Sequence, residues 1–276
     1  MAREMLGIDI GGSGIKGAPV DLSTGEFTRE RFRMATPQPS RPKPVAKVLA
    51  EIVDHFGWDG PVGVTYPGVV IDGVALSAAN VSKRWIGLDA ASLIAKATGR
   101  EITLLNDADA AGIAEMRLGA GRGRSGTVVL LTLGTGIGSA LFTDGVLVPN
   151  TEFGHIQIKG KDAEVRASAK ARTDRGLSWE QWARRLGTYM RHLEALISPS
   201  LIIVGGGVSR RSEHFVPLIE GVRAEIVPAR LVNNAGIVGA AMAAAAAHPA
   251  ETGPARVRAV GGTGAQRRRG TAKAAR

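Results

Sequence analysis

Asp107 stands directly after the apolar run Ile102–Leu105 and Asn106, where a strand-like pattern gives way to a helical one. In open α/β sheets, ligands collect at the C-terminal ends of strands. A carboxylate there can accept a proton from a substrate hydroxyl, while the Asn106 amide bonds a neighbouring hydroxyl. Both residues are also good helix N-caps, and capping alone would account for them. Asp109 is a competing acid, but it falls inside the expected helix.

Two glycine turns supply a different chemistry. Gly11, Gly12, Ser13 and Gly14 follow the strand-like Met5–Ile10, and Gly134, Thr135, Gly136 and Gly138 follow the strand-like Thr127–Leu133. Apolar residues flank each turn, which predicts tight hairpins whose backbone N–H groups can cradle phosphate oxygens. One such hairpin is weak evidence. Two in equivalent places predict duplicated halves with a phosphate cradle on each wall of a cleft. Asp9, at the end of the first strand, can organise Mg²⁺ through water or bond turn amides. Lys16 can neutralise a phosphoryl oxygen or point into solvent.

Glu152 and His155 bracket Gly154 and can grip vicinal hydroxyls, or face solvent as an ordinary polar pair. A metal site would need a third ligand. Gly205, Gly206 and Gly207 follow the strand-like Leu201–Val204 and admit close approach of a ligand or another chain segment. They do not form a dinucleotide fingerprint, and no acid follows at the required spacing.

The elements that position these residues alternate strand and helix, which predicts mostly parallel sheets covered by helices. Met5–Ile10, Ile15–Leu22 and Phe27–Met34 read as a three-stranded meander, and Val62–Tyr66 as a buried strand ending before Gly68. Helices are expected at Val45–Phe56, Leu88–Thr98, Ala108–Leu118 and Trp179–Ile197, whereas Lys159–Arg175 reads only as a charged stretch. Ile237–Ala247, made of small apolar residues, predicts a buried closing helix packed on the first half. The expected division is a lobe over 1–106 completed by 236–248, a second lobe over 107–235, and a disordered basic tail over 249–276.

Composition sets limits. The chain has 276 residues, 44% of them hydrophobic, and no cysteine. That favours a soluble α/β enzyme and excludes disulfides and thiolate metal sites. No run approaches the roughly 18 apolar residues of a membrane span, so no membrane partner is expected. The N-terminus reads as lacking a signal peptide, which makes the cytoplasm the expected compartment. Of the net charge of +10, +6 falls in residues 249–276. Such a tail can hold a polyanion or be a plain solvated appendage. It lacks the pattern of a specific nucleic-acid reader.

Five segments carry a family resemblance: Asp9–Lys16, Leu105–Ala111, Leu133–Gly138, Glu152–His155 and Val204–Ser209. In this order they resemble the ROK family of sugar kinases, within the actin-like, ribonuclease H-like, two-lobed phosphotransferases. The resemblance spans almost all of residues 5–247. It implies that Asp107 is the catalytic base and that Gly68, Asn80, Asn106, Asp107, Glu152 and His155 contact the sugar. It further implies that the hairpins, with Gly206 and Gly207, hold phosphates, that Mg²⁺ is bound near Asp9 through water, and that the protein is a homodimer.

Most ROK proteins carry a cysteine-rich zinc loop after the Glu-x-Gly-His segment, ending in a sugar-binding Glu. Here Lys159–Trp179 contains no cysteine, which implies no zinc and leaves Glu180 as the candidate replacement for that Glu. The missing loop, the short chain, and the stretches Asn80–Trp85 and Ser168–Arg172 look most like one branch of the family. Its members phosphorylate glucose with inorganic polyphosphate, and often with ATP. The expected reaction is transfer of a terminal phosphoryl group to the 6-hydroxyl of glucose, giving glucose 6-phosphate. A polyanionic donor needs a cation-lined channel, for which Lys83, Arg84, Lys159, Lys161, Arg166, Lys170 and Arg172 are candidates. The alternatives are a strictly ATP-dependent hexokinase acting on glucose, mannose or fructose, and a sugar-sensing regulator. A regulator would place a helix-turn-helix ahead of the first strand.

Overall fold

The structure, a computed structural model, describes residues 4–249. The basic tail expected from residue 249 lies outside the described residues apart from Pro249 itself. In chain order the first half comprises β1 (Glu4–Ile10), β2 (Gly14–Asp21), β3 (Phe32–Ala35), α1 (Pro42–Phe56), β4 (Val62–Tyr66), β5 (Val70–Ile71), β6 (Val74–Ala75), β7 (Leu88–Asp89), α2 (Ala90–Thr98) and β8 (Ile102–Asn106). The second comprises α3 (Asp107–Leu118), β9 (Thr127–Leu133), β10 (Ile137–Thr143), β11 (Val146–Val148), β12 (Gln157–Ile158), β13 (Lys161–Asp162), α4 (Ala163–Ala167), α5 (Ala169–Asp174), α6 (Trp179–Ile197), β14 (Leu201–Gly205), β15 (Glu225–Pro228) and α7 (Ala235–Ala247).

Two five-stranded sheets repeat one plan, β3-β2-β1-β4-β8 and β11-β10-β9-β14-β15. Each opens with an antiparallel meander and continues with two parallel strands. Strand alternation decides what each face meets. In β1, Leu6, Ile8 and Ile10 pack with α1 and α2 in one core. Met5, Gly7 and Asp9 turn to the other face, where Met5 joins α3, α7 and residues of the second sheet. In β9, Val128 and Leu130 face this middle layer, while Val129, Leu131 and Leu133 pack with α4 and α6. Helices α3 and α7 therefore fill the space between the sheets, in the actin-like, two-lobed architecture.

Glycines make that layer thin. A Cβ at Gly7, Gly63 or Gly239 would collide with the backbone carbonyl of Ile237, Ala240 or Ala110 respectively. Backbone touches backbone at these points. The expected closing helix does pack on the first sheet, and it also locks to α3.

Two expectations need correction. The third strand starts at Phe32, and Phe27 forms only an isolated bridge to Val20. Thr28 donates its amide to the Pro19 carbonyl at 3.0 Å, but proline has no N–H to return, so the ladder cannot extend there. The charged stretch Lys159–Arg175 is structured as the turn and second strand of the β12–β13 hairpin plus α4 and α5. Ala163, Ala167 and Ala171 are buried at four-residue spacing, Lys161, Lys170, Asp174 and Arg175 are exposed, and Glu164, Arg166 and Arg172 are half-buried.

Candidate active site

Asp9 lies opposite Lys16 in the β1–β2 register, and the pair closes at 2.9 Å, Lys16 Nζ to Asp9 Oδ2. The other oxygen, Oδ1, accepts the Thr65 hydroxyl at 2.7 Å. Thr65 in turn receives the Ile10 amide at 3.2 Å, which fixes the side chain across two strands. On the far side, Gly236 at the start of α7 comes close enough that a Cβ there would lie 3.3 Å from Asp9 Cγ. Lys16 therefore does not point freely into solvent: it pairs with Asp9.

The first hairpin closes through the Gly11 amide and the Gly14 carbonyl, 3.1 Å apart. Gln38 and Arg33 donate to the Gly12 and Ser13 carbonyls at 3.1 and 3.2 Å. Because peptide units are planar and trans, the Ser13 and Gly14 amides face the opposite way. Asn80 lies beside this turn, its Cβ 3.7 Å from where a Gly12 Cβ would sit.

The second hairpin is shorter, with three residues between paired Leu133 and Ile137, whereas four separate Ile10 and Ile15 in the first. Gly134 and Thr135 are exposed at its tip. The Ile137 amide donates to the Glu164 carboxylate at 3.1 Å, so this chain's own anion occupies part of the turn. Gly138 lies inside β10, against Thr132 and Ala108, and serves packing of the α3 start.

Asp107 begins α3. Asn106 caps this helix, its Oδ1 accepting the Ala108 and Asp109 amides at 2.8 and 3.0 Å. Its Nδ2 donates to the Gly68 carbonyl at 3.1 Å, so one amide hydrogen remains for a ligand. Asp107 is thereby relieved of most capping duty and projects into a cavity of about 170 Å³, shared with Asp9, Lys16, Thr132, Gly206 and Gly236. One side of Asp107 meets cleft water, while protein encloses the others. That enclosure pushes its carboxyl up to about 7, with the negative charges of Asp9 and Glu152 adding to the shift.

Behind it, Asp109 is buried, with Oδ2 accepting the Asn150 amide at 2.7 Å and Oδ1 unpartnered. Burial pushes Asp109 up to about 7 against the pull of that amide. Glu152 is also raised, by burial and by Glu164, with His155 opposing. The Asn150 side chain exchanges two hydrogen bonds of 2.9 Å with the Val70 backbone, tying the Gly68 segment to the Glu152 segment. His155 pairs through Nδ1 with Asp162 at 2.9 Å, which raises its affinity for a proton and leaves Nε2 outside the pair.

Residues 5–178 match the ROK family. The chain belongs to the ROK family. It is 53% identical over 245 residues to a polyphosphate glucokinase of Mycobacterium tuberculosis, covering 88% of this chain and 92% of that protein. Its fold superposes on the crystal structure of an inorganic polyphosphate/ATP-glucomannokinase from Arthrobacter sp. strain KM with a TM-score of 0.85 and 51% identity, covering 89% of this chain and 99% of that one. A ROK family glucokinase from Streptomyces griseus, solved with glucose and AMPPNP, matches with a TM-score of 0.74 and 27% identity over 88% of this chain and 99% of that one.

Within this ROK protein, other expected site residues scatter. Gly206 has φ 81° and lies against Leu133, so its lack of a side chain admits the base of the second hairpin, and it also lines the Asp107 cavity. Gly207 has open space around it. Glu180 is in the first turn of α6, bonded to Ser178 and near Arg184, and does not line the Asp107 cavity. Lys83 and Arg84 sit on an exposed turn in the first half. Lys161 is exposed in β13, and Lys170 lies beside Thr135 and pairs with Asp174. Arg172 stacks over Trp179 at 3.5 Å, which engages its charge. Thr65, Thr132, Glu164 and the α7 start belong to the site although no sequence signal marked them.

Proposed function

We propose that this protein transfers the terminal phosphoryl group of inorganic polyphosphate, and also of ATP, to the 6-hydroxyl of glucose. The observation that carries the reading is the 53% identity to a polyphosphate glucokinase along nearly the whole chain. The cavity that joins Asp107 to Asp9 and Lys16 supplies the chemistry. Asp107 orients the hydroxyl and takes its proton as the oxygen bonds to phosphorus and the bridging P–O bond breaks. Gly68, Asn80, Asn106, Glu152 and His155 surround the sugar in this reading, and the glycine hairpins position the donor. Catalysis of this kind rests on positioning and electrostatics. The same reading carries a homodimer.

Magnesium fits these residues as a partner of the donor rather than as a resident ion. Among the described residues no cluster of three His, Cys, Asp or Glu side chains could cage a metal, and both Asp9 oxygens have partners. Magnesium commonly uses one or two carboxylates, phosphates and retained waters, so Asp9 would hold it through water, where it would neutralise charge on the phosphoryl oxygens.

The deciding assay supplies glucose and Mg²⁺ with either polyphosphate or ATP and measures glucose 6-phosphate. Turnover with both is expected; turnover with ATP alone would leave a strictly ATP-dependent hexokinase. The free enzyme's base sets the acid limb of the pH profile. With Asp107 held near pH 7, kcat/KM for glucose is expected to fall about tenfold per pH unit below that point. A profile flat from pH 5 to 8 would mean that the base of the free enzyme titrates below that range.

A further inference from the structure

A second cavity, of about 340 Å³, opens between α4, α6 and the β12–β13 hairpin, within the size range of ligand sites. Lys159, Arg166, Arg184 and Arg185 line it, and no acidic residue does. Gln181, Arg184, Arg185 and Thr188 share one face of α6 by helical spacing. The fully buried Tyr189 contributes to the wall, and its hydroxyl has no hydrogen-bond partner. Burial and the neighbouring Arg175 and Arg166 pull Arg185 below the usual guanidinium range, although Arg185 donates to the Arg166 carbonyl at 3.3 Å and Glu180 is near Arg184.

The cavity adjoins the second hairpin across α4. Helix α4 is a shared wall: Ala163 and Arg166 face this cavity, while Glu164 faces the space beside Thr135. Lys170 and Arg175 line that space together with Glu164 and Asp174, Lys170 being paired with Asp174, and Arg175 is near enough to perturb Arg185. The cationic cavity of Arg185, Arg166 and Arg184 therefore adjoins the hairpin through Arg175, with mixed charge between them.

We propose that this cavity anchors the far part of a condensed-phosphate donor chain whose terminal group is at the hairpins, with Arg184 and Arg185 as its principal contacts. The proposal rests on the polyphosphate reading above. Guanidinium–phosphate contacts are bidentate and strong, and several in a row suit a linear polyanion better than a single phosphate. A nucleotide, ending within the catalytic cleft, would not reach it.

The test uses the full chain and the double variant Arg184→Gln/Arg185→Gln. Calorimetry measures binding of long-chain polyphosphate and of tripolyphosphate, and initial rates are taken with long-chain polyphosphate and with ATP. The expected result is a rise of about tenfold or more in both Kd and KM for the long chain, with kcat retained and KM for ATP within about twofold. An unchanged long-chain KM overturns the proposal, even if tripolyphosphate binding is lost, since the cavity would then serve free short phosphates. Equal losses with ATP and polyphosphate also overturn it. Arginine-dependent binding of long chains by a wild-type protein that transfers phosphate only from ATP would sink the donor reading while leaving the anion site standing.

Discussion

Asp107→Asn is expected to lower kcat by about 10²- to 10⁴-fold, the usual range for loss of a general base, while glucose still binds. The amide keeps the shape and the first-turn position but cannot take the hydroxyl proton. Steady-state rates and glucose binding check the two halves separately, and near-normal turnover would end the assignment. The same variant carries a stability signature of opposite sign. In the folded protein Asp107 titrates at about 7, whereas an unfolded aspartate titrates near ~3.9. Between those values the folded state binds more protons, so stability is lost as pH rises through about 7. Asparagine removes that penalty. The variant's Tm is expected to exceed the wild type's by about 2 °C or more at pH 8, with the gap closing toward pH 4.

Gly239→Val is expected to cost about 3 kcal/mol or more of folding stability, through overpacking that rotamer changes cannot relieve. The new Cβ would meet the carbonyl of Ala110 in α3, and two helix backbones cannot yield as a flexible side chain would. Denaturant unfolding reads the effect, and a shift of Tm by about 6 °C or more accompanies it. An unmoved midpoint would mean that α3 and α7 are not in backbone contact.

The duplicated halves were legible because the short apolar runs of β1 and β9, each followed by a glycine turn, are local signals. Helix α6 was legible at its full length from the helical spacing of Trp182, Leu186, Met190 and Leu193, and the structure adds a reciprocal capping box of Ser178 and Gln181 at its start. The family and its two-lobed fold followed from five short segments. What escaped was set by distant partners. Glu164 reads as one charge among many until the hairpin amide of Ile137 meets it. Arg184 and Arg185 look like an ordinary solvated helix face, and only the facing Lys159 and Arg166 make that face a cavity. The third strand was misjudged because a single proline on the neighbouring strand withheld a donor.

The glycine contacts between α3 and α7 also constrain how the molecule can move. Asp107 heads one of these helices, and Gly236, at the head of the other, abuts Asp9. Riveted backbone to backbone at Gly239 and Ala110, the two rods form a stiff axle, and Gly7 and Gly63 press the first sheet onto the same axle. Asp9, carried on β1 of that sheet, is thereby held at a set span from Asp107.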